Sequence, residues 1–89
     1  MKFGLNHNIR YHNQVFHCQT EDLGHTKQSI VTHLFLNGQV IASLQTSYLS
    51  THTPETLLAS MKNQHQSIMK QLIRGEFDNA INEPKKGTS

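Results

Sequence analysis

Seven histidines and a single cysteine are the side chains here with metal-binding, acid–base or nucleophilic chemistry open to them. Zinc needs three or four N, S or O ligands converging on one point. His17 and Cys18 are adjacent, and strand neighbours point to opposite faces, so they do not share an ion. His12 and His17 form a diagonal pair on one sheet face, and Arg10 beside them repels a cation. His33 sits on another strand, and His65 is alone on its helix. No His-x-x-x-His or Cys-x-x-Cys spacing occurs. No metal ligand is assigned, and the imidazoles read as surface and sheet-face groups. A histidine-rich metal-binding protein is an alternative reading, and a pH-responsive interface is a third.

Cys18 as a nucleophile would need a lowered pKa and an aligned base. It falls among Ile9, Tyr11 and Phe16, the usual surroundings of a small buried thiol. Glu21 and Asp22 are paired acids at a strand end. They share one environment, whereas an acid–base pair needs two. The five glycines are scattered, so no phosphate-cradling loop forms. No catalytic residue is assigned, no cofactor is implied, and a non-enzymatic protein is expected. Lys62, Gln66, Lys70 and Arg74 recur every fourth residue and could meet phosphates. Three charges on a solvated helix face leave weak, sequence-neutral nucleic-acid binding as a further alternative.

The elements that position these groups are organised around Ser29 to Tyr48. Two β-rich runs flank Asn37-Gly38, a strong hairpin signal. A two-residue turn pairs Leu36 with Gln39, Leu34 with Ile41, Thr32 with Ser43 and Ile30 with Gln45. A first hairpin, Asn8 to His12 and Val15 to Glu21, turns at Asn13-Gln14. That register sets Tyr11 opposite Phe16 and Ile9 opposite Cys18, with Arg10, His12, Val15 and His17 on the other side. The segment Asp22 to Gln28 is a loop pivoting at Gly24. Thr53-Pro54-Glu55 reads as a helix start: an N-cap, a first-position proline and a first-turn acid. Leu57, Leu58, Met61, His65, Ile68, Met69, Leu72 and Ile73 then recur at helical spacing. Gly75 is the C-cap signal, with Phe77 and Ile81 continuing the packing. Residues 1 to 7 read as a polar lead and 83 to 89 as a disordered tail. The fold class is α+β: one domain over 1–82, a four-stranded antiparallel β-meander with one C-terminal α-helix across one face.

Composition bounds the function. With 89 residues, 35% hydrophobic, 16% charged and no Trp, the core is lean for a lone small domain. One cysteine rules out a disulfide within the chain and suits a reducing compartment. The opening MKFGLNHNIR has no apolar signal-type stretch, and no run is long enough to span a membrane, so a cytoplasmic protein is expected. The charge of +2 comes from eight dispersed basic residues, too sparse for a dedicated nucleic-acid binder.

The central hairpin is apolar on both faces, and one helix covers only one. The face bearing Val31, His33, Phe35, Val40 and Leu44 is therefore expected to be an interaction surface. Its partner would be another protein, either a second copy or a different chain.

The segments LNHNIRY, VFHCQTEDLG, IVTHLF and NGQVIASLQTSY resemble a family of small bacterial proteins. These share an Asn-His-Asn-Ile-Arg-Tyr opening, a His-x-Gln-Thr-Glu-Asp strand and an Ile-Val-Thr-His-Leu-Phe strand. The resemblance covers residues 5 to about 75 and extends to RomX-like proteins. It implies a regulatory role in cell polarity, with a RomR-like scaffold and an MglA-like, Ras-like GTPase as partners. It carries no residue assignments across. Asn13-Gln14 stands where that family's pattern leads one to expect a Gly-containing turn, which bears on the first hairpin's register.

Overall fold

A computed structural model describes residues 4–49 and 51–82; the expected tail, 83–89, and residues 1–3 lie outside the described residues. The elements are β1 (Gly4–Tyr11), β2 (Gln14–Asp22), β3 (Ser29–Leu36), β4 (Gln39–Ser47), α1 (Pro54–Ile73) and a short α2 (Asp78–Asn82). The strands form one antiparallel sheet in the order β1-β2-β3-β4, and α1 packs across one face, over β1, β2 and β3. The class is α+β, as the hairpin and helix signals predict. No described helix is long and apolar enough to cross a membrane.

The polar lead is shorter than expected, because pairing already begins at Gly4↔Glu21. The first turn is His12-Asn13 rather than Asn13-Gln14, with φ of 50° and 63°. A two-residue turn of this hand needs both central residues left-handed, and Asn and His tolerate that region better than most residues. The pairing therefore shifts by two positions: Ile9 faces Phe16 and His7 faces Cys18. An even shift leaves every side chain on its predicted face.

The second turn, Asn37-Gly38, forms as predicted, with φ of 53° and 81°. Beyond it a β-bulge intervenes. Phe35 pairs with Val40, but Leu34 pairs with Ala42, Thr32 with Leu44 and Ile30 with Thr46. Ile41 is the extra residue, and Ile41 and Ala42 both pack toward the core around Leu34. An unbulged ladder would instead turn Ser43 and Gln45 onto the core and Ala42 and Leu44 away from it. The bulge re-aims the strand so that its apolar residues face α1. The expected pairings of Leu34 with Ile41, Thr32 with Ser43 and Ile30 with Gln45 are corrected accordingly.

Thr53 caps α1, its hydroxyl accepting the Thr56 N–H at 3.2 Å. Gly75, at φ 82°, ends the helix, and its N–H donates to the Leu72 carbonyl. The apolar stripe of α1 covers the face bearing Leu34 and Ile41. Phe16, Cys18, Leu34, Ile68 and Leu72 form one core cluster, and Ile30, Leu57 and Met61 a second. Phe77 and Ile81 close the first cluster, and Tyr11 OH donates to Asp78 Oδ1 at 2.8 Å, tying α2 to β1. At the opposite end Tyr48 OH donates to the buried Asp22 Oδ1 at 2.8 Å. That carboxylate also accepts the Gly24 N–H, which fixes the β2–β3 loop.

Candidate interaction surface

The sheet face away from α1 has no helix over it among the described residues. Strand alternation and register place its residues in rows. Asn8, His17, Phe35 and Val40 form one row, and Asn6, Gln19, His33 and Ser43 the next. Val31 follows, between Glu21 and Gln45. Phe35 is the central aromatic, with the His33 and His17 rings 5.7 and 6.2 Å away. Both imidazoles are held in place. His17 Nδ1 lies 2.9 Å from Asn8 Oδ1 and its Nε2 3.1 Å from Asn6 Oδ1, while His33 Nδ1 lies 3.1 Å from Ser43 Oγ. Val40 is 53% and Val15 51% exposed. A shallow hollow of about 310 Å³ opens beside Val31, His33 and Gln45.

Of the residues expected on this surface, Val31, His33, Phe35 and Val40 are together. Leu44 is not. The bulge sets it opposite Thr32, on the α1 side. There it remains 41% exposed, because α1 sits over β1 to β3. Val15, His17, Gln19 and Ser43 complete the open face.

The covered face contains a polar chain. His65, only 2% exposed, places Nδ1 2.7 Å from Thr20 Oγ1 and Nε2 2.8 Å from His7 Nδ1. Thr20 Oγ1 meets Thr32 Oγ1 at 2.7 Å. Gln64 Nε2 donates to Thr32 Oγ1 at 3.0 Å and to the Leu44 carbonyl at 3.1 Å. The chain links α1 to all four strands, reaching β4 through Gln64. Among the described residues no buried side-chain N or O atom lacks a partner. Unpaired, these groups would be costly in a dry core; paired in this way, they fix the seating of α1 on the sheet. Burial, with the His7 ring beside it and His17 across the sheet, lowers the His65 pKa below the usual imidazole value. Beside the pair, a cleft of about 290 Å³ runs between β1 and α1, lined by Leu5, His7, Lys62, Gln66 and Met69.

Cys18 Sγ lies 3.7 Å from His65 Nδ1, a thiol–imidazole approach that resembles a nucleophile and its base. That nitrogen is already engaged by Thr20. Burial pushes the thiol pKa up to about 11, the reverse of activation. A disulfide-type thiol reagent at pH 8 is expected to leave native Cys18 unlabelled and to label it fully in denaturant. Fast labelling of the native protein would contradict this placement. Among the described residues no group of three or more His, Cys, Asp or Glu is arranged to hold a metal ion. Lys70 and Arg74 are exposed on the outer side of α1 and Lys62 on its flank by the cleft, and Arg74 Nε is paired with Glu76 Oε2 at 3.2 Å.

Sequence reasoning missed this polar chain. Two signals point to it. His65 sits within an apolar helical stripe, where a buried imidazole must have a partner. Thr20 and Thr32 occupy inward strand positions otherwise held by Phe16, Cys18, Ile30 and Leu34. Comparison of the chain with protein-family models, with curated proteins and with solved structures returns no match.

Proposed function

We propose that this protein is a non-enzymatic, cytoplasmic interaction module that binds another protein through the open face of its sheet. One observation carries the reading. Among the described residues the four-stranded sheet has a helix on one face only, and the other keeps Phe35, Val31, Val40 and Val15 together. An aromatic anchor ringed by aliphatic and imidazole groups has the composition of an interface centre with a polar rim. The resemblance to RomX-like proteins gives the first partners to try, a RomR-like scaffold and an MglA-like Ras-like GTPase. On that reading the module shifts the GTPase between nucleotide states by binding one more tightly than the other.

Calorimetric titration of the protein against each partner, with the GTPase in its GTP and GDP forms, tests the reading. Removing a central aromatic anchor costs about 2 kcal/mol, or about 30-fold in affinity. Phe35→Ser is therefore expected to weaken binding about 30-fold with its melting temperature little changed. Binding that is indifferent to Phe35→Ser would move the contact off this face.

A further inference from the structure

We propose that β4 is a self-pairing edge, and that two copies join through it about a two-fold axis at Leu44. The inference rests on the interaction-module reading and names a partner for a different surface, the sheet edge. Among the described residues β4 ends the sheet, and one side of its backbone has no ladder partner there. Tyr48 N–H donates to the Gln28 carbonyl, which sets the alternation. Even-numbered residues beyond the bulge turn their backbone groups to β3, while Ser43, Gln45 and Ser47 turn theirs outward. Exposed edges of this kind are normally blunted by Lys, Pro or charge. Gln39–Ser47, QVIASLQTS, contains none of these, and its bulge lies at one end, leaving Ala42 to Ser47 regular.

Three features fit a second copy on this edge. An antiparallel pair about Leu44 sets Ser43 against Gln45 of the other copy, both outward-facing, so their backbone groups can bond. It places no charge opposite a like charge, whereas the other edge, β1, carries Arg10. It also puts Leu44, whose side chain α1 leaves partly open at 41% exposure, directly against its own copy, a cross-strand apolar pair. The result is one continuous sheet in which the two open faces become a single double-width surface.

Light scattering across a concentration series, with the intact protein, tests this. The expected result is a mass rising from 10.1 kDa toward twice that value. Leu44→Lys sets like charges opposite each other across the axis, and is expected to weaken association at least about tenfold. Gln45→Pro removes an outward N–H without touching the β3 ladder and should do the same, so a folding defect in one variant leaves the other informative. Phe35→Ser should leave the dimer intact. Three outcomes overturn the proposal: a monomer at every concentration, a dimer indifferent to both β4 variants, or a dimer lost only in Phe35→Ser. A monomer whose β4 amides become protected only when the GTPase is added would assign the edge to a foreign strand, also against the proposal. Partner binding by the open face is read separately through Phe35→Ser, so either idea can fail alone.

Discussion

Leu34→Ala is expected to lower the free energy of unfolding by about 3 to 4 kcal/mol, read from urea transitions. Leu34 is fully buried between Phe16, Cys18, Ile68 and Leu72, and the strand backbone gives the site little room to collapse. A domain of this size has a total stability of roughly 4 to 13 kcal/mol, so one truncation removes a large share of it. Its chain neighbour Phe35 points the other way. Phe35→Ser is expected to cost less than about 1 kcal/mol of stability, the range of surface changes, while it weakens partner binding. Adjacent positions on β3 are thus expected to separate folding from the proposed recognition. Equal stability losses at the two positions would mean that both faces are core.

His65→Ala is the second large effect. The imidazole is buried and joins β1, β2 and α1 through His7 and Thr20. Its removal leaves a cavity and frees polar neighbours, at a cost of about 3 kcal/mol. The variant should also change the pH dependence. The His65 pKa is lowered in the fold, so the unfolded chain takes up the proton first. Stability from this group is complete above about pH 6.5, the unperturbed imidazole value, and is lost as pH falls through the lower, folded value. The groups facing it are His7 from β1 and Cys18 and Thr20 from β2, with Lys62 on α1 lining the same cleft and His17 acting from the other side of the sheet. Wild-type melting temperature should therefore drop below pH 6.5 more steeply than that of His65→Ala. Parallel acid limbs in the two proteins would show that His65 is not the group responsible.

Local chemistry with one structural meaning was legible before the fold was known. Asn37-Gly38 marked the central turn, Thr53-Pro54 the helix start and Gly75 its end. The face assignments of β1, β2 and β3 followed from alternation and survived the displaced first turn, because the pairing moved by an even number of residues. The bulge had no such marker. It inserts Ile41, a β-branched residue at home in any strand, and the reason for it lies in packing against Leu34. That one-residue change carried Leu44 from the predicted surface to the α1 side. The short α2 was also illegible, since its five residues are held by contacts of Phe77, Asp78 and Ile81 with distant parts of the chain. The His65 chain depended on registers between strands and on which face α1 chose, and the hairpin patterns left that choice open.

Recognition on the uncovered sheet face, as proposed, has a direct test. Amide and side-chain NMR shifts of the labelled protein, followed while an MglA-like GTPase in its GTP form is added, test it most directly. The expected result is that Val31, His33, Phe35 and Val40 move, while Leu34, Ile68 and the outer face of α1 at Lys70 and Arg74 stay in place. Shifts confined to that outer helix face, with Phe35 and Val40 unmoved, would contradict it.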